Sequence, residues 1–215
     1  MTDGMPKLNL SFIFLDARQG KVRTTFGKLM KKNLPLRKKT KKEVKNIARN
    51  IKLLILDVDG VLTDGSIILD NKGNEYKLFH VRDGHGIKML MKAGVEVAII
   101  TGRGSKVVER RAKELGIREV FQKCYDKVSA YQDLLLRYSL DKGEVAYVGD
   151  DVVDAPVMSK VGLPITVSDA DRRIKKYALY VTKQRGGRGA VREVTDYLLE
   201  AKGLWKKIID GYFEA

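Results

Sequence analysis

The stretch Leu53-Leu54-Ile55-Leu56-Asp57-Val58-Asp59-Gly60-Val61-Leu62-Thr63-Asp64-Gly65 decides the fold. Four consecutive Leu/Ile residues with no polar interruption read as a strand buried on both faces, the pattern of a parallel sheet, and Gly60 and Gly65 mark where the chain turns out of it. Asp57 and Asp59 therefore stand at the carboxyl end of that strand, where open α/β sheets bind ligands, and residues i and i+2 of a strand share a side. Two carboxylates one residue apart at the end of an apolar run are costly unless something needs them, and a cation is their natural occupant.

From that strand to the carboxyl end, β-type and helix-type segments alternate. Residues 66–70 and 75–80 flank Asn71-Lys72-Gly73-Asn74 and read as a β-hairpin. Asp83 to Ala93 reads as a helix with Ile87, Leu90 and Met91 on one face. Val95 to Ile100 reads as the second core strand, Ser105 to Leu115 as a helix closed by Gly116, and Val120-Phe121 as a short strand. Lys127 opens a helix through Tyr138, Glu144 to Val148 is a strand ending in Gly149-Asp150-Asp151, and Pro164 to Val167 and Ala178 to Val181 close the sheet. Ala190 to Tyr212 supplies one or two terminal helices. The expected fold is α/β, a Rossmann-like doubly wound parallel sheet with a small hairpin flap.

The bulk properties bound the function. At 215 residues, 44% apolar and 32% charged, the chain has room for one domain of ordinary size with a full core. The net charge of +15 is concentrated at the amino end, where the first fifty residues hold fourteen basic and three acidic side chains. Residues 1–50 are thus expected to form a basic extension, mobile until it meets an anion, with a short helix from Lys41 to Asn50 leading into the first strand, and residues 51–215 to form the catalytic domain. No aromatic residues interleave the lysines and arginines and no base-reading module follows, so nucleic acid is not the expected partner. Leu8 to Leu15 is too short, and lacks the small-residue cleavage site, for a secretory signal; translation from Met30 is a second reading of this region. The single cysteine, Cys124, excludes an intramolecular disulfide, and no apolar run reaches the roughly 18 residues of a membrane span. These features point to the cytoplasm.

The core strands end in polar residues of a matching kind: Asp57 and Asp59, then Thr101, then Lys127, then Asp150, Asp151 and Asp154. Carboxylates, a hydroxyl and an ammonium at one sheet edge suit magnesium-assisted phosphoryl transfer, in which carboxylate oxygens hold a hard cation that neutralises phosphate charge. Asp57 is the candidate nucleophile, forming an aspartyl phosphate, and Asp59 the candidate acid for the leaving alcohol. Thr101 and Lys127 would hold phosphoryl oxygens where charge develops. Asp154 reads as positioning its neighbours rather than binding metal, and Asp151 stays open. A phospho-accepting receiver module also uses Asp, Thr and Lys around magnesium in a flavodoxin-like sheet, but there the acidic pair precedes the acceptor by a whole βαβ unit. Here Asp59 follows Asp57 and a further Asp cluster follows Lys127, which favours turnover.

The set Asp57-Val58-Asp59-Gly60-Val61-Leu62-Thr63-Asp64, Thr101, Lys127 and Gly149-Asp150-Asp151-Val152-Val153-Asp154 resembles the four motifs of the haloacid dehalogenase superfamily, over residues 51 to about 195. The resemblance implies Mg2+ bound by Asp57, the backbone carbonyl of Asp59, and Asp150. The gaps between motifs are too short for a separate cap domain, so either the substrate is large or a neighbouring subunit completes the pocket. Val81-Arg82-Asp83-Gly84-His85-Gly86-Ile87, Thr101-Gly102-Arg103 and Gly186-Gly187-Arg188-Gly189-Ala190 further resemble the capless branch acting on 3-deoxy-D-manno-octulosonate 8-phosphate in lipopolysaccharide precursor synthesis. That branch implies a homotetramer assembled by the hairpins, and substrate contacts at Asp59, His80, Val81, Arg82, Asp83, Gly84, Lys88, Arg103, Arg111 and Lys127. It also implies that the Gly186–Ala190 segment, with Arg188, reaches a neighbour's active site. Several cations suit a substrate carrying both phosphate and carboxylate. Lys88 stands where arginine is usual in the branch, and a phosphatase for another sugar-acid phosphate, such as a nonulosonate 9-phosphate, is the alternative.

Overall fold

The structure, a computed structural model, describes residues 39–214. The expected extension over residues 1–50 therefore falls largely outside the described residues, as does the apolar stretch Leu8 to Leu15. Its last part is a helix, α1 (Lys41–Arg49), started by a capping box in which Thr40 Oγ1 accepts from the Glu43 N–H and the Thr40 N–H donates to Glu43. Val44 and Ala48 on its inner face are buried, so these nine residues belong to the folded body.

The strands β1 (Leu53–Leu56), β4 (Glu96–Ile100), β5 (Glu119–Phe121), β6 (Val145–Gly149), β7 (Leu163–Thr166) and β8 (Tyr180–Val181) form one sheet in the order β5-β4-β1-β6-β7-β8. Every pairing is parallel. A separate two-stranded hairpin, β2 (Ile68–Leu69) and β3 (Glu75–Tyr76), pairs antiparallel, with strands shorter than the sequence pattern suggests. The crossover helices are α2 (Val81–Lys92), α3 (Lys106–Leu115), α4 (Lys127–Tyr138) and α5 (Ala155–Met158), followed by α6 (Ala190–Ala201) and α7 (Trp205–Phe213). Right-handed crossovers put α2 and α3 on one face, where α2 packs on α3 and α6, and α6 packs on α1 and α7. The reversal of strand order past β1 sends α4 and α5, which touch each other, to the other face.

Sandwiched between these layers, all four residues of β1 and all five of β6 are buried, which explains why β1 reads as an unbroken apolar run. Helix α2 begins two residues earlier than its apolar spacing suggests, because extended His80 takes the N-cap position. Order reverses between β1 and β6, and the crevice outside the carboxyl ends of those two strands is where a doubly wound sheet binds its ligand. No helix among the described residues is long and apolar enough to cross a membrane.

Leu90 of α2 is fully buried. Leu90→Ala is expected to lower the unfolding free energy by about 2–5 kcal/mol, read from the urea midpoint at unchanged slope.

Candidate active site

Asp57 follows β1 directly, and its N–H continues the ladder to the Val148 carbonyl of β6 at 3.0 Å, so its backbone is as fixed as the strand. Its Oδ1 accepts the Val58 N–H at 2.7 Å and its Oδ2 meets Lys127 Nζ at 2.8 Å. Lys127 is the first residue of α4, whose N-cap Asp126 accepts the N–H groups of Val128 and Ser129. The same ammonium donates to Asp154 Oδ1 at 2.7 Å. Burial pulls the Lys127 pKa down, but the adjoining Asp57 and Asp154 carboxylates outweigh it and hold the group above its ordinary value.

Asp154 is fully buried and saturated. Its Oδ1 also accepts the Tyr147 hydroxyl at 2.7 Å, and its Oδ2 accepts the N–H groups of Asp150 and Asp151 at 3.0 and 3.2 Å. Four donors beside Lys127's second partner, Asp57, make Asp154 the hub that shapes the turn after β6. Oxygens from Asp57, Asp150 and Asp154 lie within 4.8 Å of one another. Since the lone pairs of Asp154 are engaged, Asp57 and Asp150 are the carboxylates left for a cation. Among the described residues no donor hydrogen-bonds the Asp150 carboxylate, and burial, then the charges of Asp57, Asp154 and Asp151, push its pKa up to about 8. Asp57 rises to about 6 through burial and the Asp154 charge, with Lys127 opposing. Two hard carboxylate donors, one of them without a hydrogen-bond donor of its own, fit Mg2+ well. The Asp59 side chain lies outside this trio, paired with Lys77.

Around the loop after β1, the positions of Gly60, Gly186 and Gly187 have no room for a side chain. Gly60 has φ +88°, and a Cβ there would overlap the Asp150 carboxylate. A Cβ on Gly186 would overlap the Gly60 carbonyl, and Gly187 donates its N–H to the Val61 carbonyl at 2.9 Å. Arg188 follows with an ion pair to Asp64 at 3.0 Å. Gly186, Gly187 and Arg188 thus pack on the loop of their own chain.

Asp57, Asp59, Thr101, Gly102, Arg103, Cys124, Tyr125, Lys127, Asp150, Asp151 and Val153 line a cleft of about 270 Å³. Of the residues expected to contact substrate, Asp59, Arg103 and Lys127 are here. His80, Arg82 and Arg188 line a separate, larger cleft of about 480 Å³ beside α6. The smaller cleft is the chemically equipped one, because it alone holds the Asp57–Lys127–Asp150 group. Asp83 is buried in the seam between α2 and α6, accepting the N–H groups of Arg192 at 2.7 Å and Gly189 at 3.3 Å. Gly84 presses against Arg111, which pairs with Glu114 at 2.8 Å and lies over the Phe79 ring. Val81 and Lys88 are exposed on α2. Sequence reading missed Tyr147, which looks like another β6 core residue, and Lys77, whose inward face only the hairpin's placement reveals.

Residues 114–193 match the family of haloacid dehalogenase-like hydrolases. The chain is 54% identical over 156 residues to the 3-deoxy-D-manno-octulosonate 8-phosphate phosphatase of Escherichia coli strain K12, a match covering 73% of this chain and 83% of that one. It is similar to the crystal structure of the Yersinia pestis phosphatase of the same name, with TM-score 0.76, 49% identity, and 76% and 89% of the two chains covered. It is also similar to the Moraxella catarrhalis phosphatase solved with a magnesium ion, a phosphate ion and a KDO molecule, with TM-score 0.79, 39% identity, and 80% and 99% covered.

In metal-free protein the folded Asp150 holds a proton that the unfolded chain releases between its ordinary 3.8 and about 8. The stability that proton represents is present below 3.8 and is lost as pH rises toward 8. Urea unfolding in EDTA is therefore expected to show falling stability from pH 5 to pH 8. Asp150→Asn should raise the unfolding free energy at pH 8 by about 1–3 kcal/mol and remove most of the gain that Mg2+ gives the unaltered protein.

Proposed function

The chain belongs to the 3-deoxy-D-manno-octulosonate 8-phosphate phosphatases, a family of haloacid dehalogenase-like hydrolases, and we propose that it hydrolyses that sugar-acid phosphate to 3-deoxy-D-manno-octulosonate and phosphate. The observation that carries this reading is the Asp57 carboxylate, pinned by Lys127 against Asp154 and set beside a donor-free Asp150 in an open cleft. The reaction is a step of lipopolysaccharide precursor synthesis.

Asp57 attacks phosphorus. As its bond to phosphorus forms, the bond from phosphorus to the sugar oxygen breaks, and Asp59 gives that oxygen its proton. A water molecule then attacks the aspartyl phosphate, Asp59 takes the water's proton, and Asp57 is regenerated with release of phosphate. Mg2+, held by Asp57, Asp150 and the Asp59 carbonyl, supplies positive charge that neutralises the phosphoryl oxygens. Lys127 spends two of its three N–H donors on Asp57 and Asp154, leaving the third for a phosphoryl oxygen, and Thr101 lines the cleft beside it.

Within one chain the smaller cleft holds few of the cations that a sugar-acid carboxylate calls for. Arg103 lines it, while His80, Val81, Arg82, Asp83, Gly84, Lys88, Arg111 and Arg188 lie elsewhere. This separation supports a homotetramer in which a neighbouring copy brings the exposed cations of that group, Arg82, Lys88 and Arg188, to the substrate. The hairpin region exposes Ile67, Leu69, Tyr76 and Leu78, which suits an assembly surface. Residues 51–215, together with α1 packed on α6, form the catalytic domain in this reading, and the basic extension precedes α1. The free Cys124 thiol is consistent with the cytoplasm.

Phosphate release in Mg2+ is the test. The octulosonate 8-phosphate is expected to exceed a nonulosonate 9-phosphate and simple hexose phosphates by about tenfold or more in kcat/KM. Asp57→Asn should lower kcat by about 10³-fold or more. A nonulosonate 9-phosphate turned over faster would overturn the substrate assignment, and activity surviving in Asp57→Asn would overturn the aspartyl-phosphate route.

A further inference from the structure

The hairpin strand β3 and the residues after it alternate between two environments. Tyr76 and Leu78 face solvent, whereas Glu75 and Lys77 turn inward. The Lys77 side chain is only 2% exposed, and its ammonium donates to Asp59 Oδ1. Lys77 Nζ also lies 3.5 Å from Glu75 Oε1. That same Glu75 oxygen accepts from Arg103 Nη2 at 2.8 Å, and Arg103 Nε stands 3.7 Å from Asp59 Oδ2. Asp59, Lys77, Glu75 and Arg103 therefore close a ring of alternating charge across the mouth of the catalytic cleft.

A lysine whose only duty was solubility would keep its ammonium in water and lay its methylenes on the surface. Lys77 does the reverse, and the desolvation it incurs is offset only where two carboxylates meet it. Of the ring's four members, Asp59 is the one the hydrolysis uses to move a proton, and Lys77 is the one that touches it from the flap. We propose that Lys77 is a positioning residue for the leaving-group proton transfer. By occupying Oδ1 of Asp59 it fixes the rotamer of that carboxyl and leaves Oδ2 as the oxygen that exchanges a proton with the departing sugar oxygen. Glu75 steadies Lys77 and Arg103 together, so the hairpin sets the geometry of the acid as well as covering the cleft. This inference rests on the reading of Asp59 as the acid.

A change of leaving group separates positioning from mere support. The sugar alkoxide needs a proton as it departs, whereas para-nitrophenolate leaves without one. The second step is common to both substrates and also uses Asp59, so the comparison is read on the single-turnover rate of leaving-group release. Lys77→Met is expected to lower that rate by about 10- to 100-fold for the octulosonate 8-phosphate and by less than about threefold for para-nitrophenyl phosphate. Glu75→Gln, which keeps the hairpin's size, should show the same inequality at smaller amplitude. Asp59→Asn is the reference: its release step slows more for the sugar phosphate than for para-nitrophenyl phosphate, while steady-state turnover falls on both because Asp59 is also the base of the second step. Equal losses of release rate on both substrates in Lys77→Met and Glu75→Gln, beside unequal losses in Asp59→Asn, would overturn the role of Lys77 while leaving the function intact. Equal losses of release rate in Asp59→Asn would instead overturn the reading of Asp59 as the acid. Should Lys77→Met fail to fold by circular dichroism, the Glu75→Gln comparison decides alone.

Discussion

One ammonium makes the active site possible. Asp57, Asp150 and Asp154 bring their oxygens within 4.8 Å of one another, where like charges repel strongly. Lys127 bridges Asp57 and Asp154 from the first turn of α4, so the crossover from β5 to β6 delivers the cation to the place where the sheet delivers the anions. The bridge has a cost in desolvation, and the saturation of Asp154 by Tyr147 and two backbone donors shows how it is met. What remains without a donor among the described residues is Asp150, which keeps its proton until a cation replaces it, and that exchange is the basis of metal affinity.

Each member of this group arrives from a different βα unit, which is why the topology matters. Asp57 ends β1, Thr101 ends β4, Lys127 opens α4, and Asp150 and Asp154 follow β6. Only the reversal of strand order beside β1 leaves a crevice between neighbouring strands at the sheet's carboxyl edge. The hairpin then adds its own ring of charges from the open side. The larger cleft beside α6 has abundant charge but no comparable convergence, and its volume alone says nothing about chemistry.

The order of elements was legible because period and punctuation are local. β1 read as buried because nothing polar interrupts it, and Lys127 to Tyr138 emerged with the boundaries it has. The start of α2 was misjudged by two residues because His80 caps it from an extended conformation without a side-chain hydrogen bond, leaving no signal in the residue type. The carboxylates, Thr101 and Lys127 were legible as strand-end polar residues. Lys77 and Tyr147 were not, since one is a lysine in a polar hairpin and the other an aromatic in a core strand. Their roles exist only through contacts with residues far along the chain. The seating of Gly186 and Gly187 on the loop after β1 is of the same kind, because a glycine pair in sequence does not say which backbone it accommodates.

That seating also bears on how the enzyme comes into being. The loop that carries Asp59 and Gly60 is closed by a segment whose arginine is 124 residues further along the chain. Contacts of such separation carry a large loop-closure entropy, and during synthesis the segment leaves the ribosome long after β1 has emerged. A nascent chain can thus lay down its central strands while its acidic loop is still unfinished. The loop that carries the acid beside the nucleophile is finished only after the chain has emerged through Arg188.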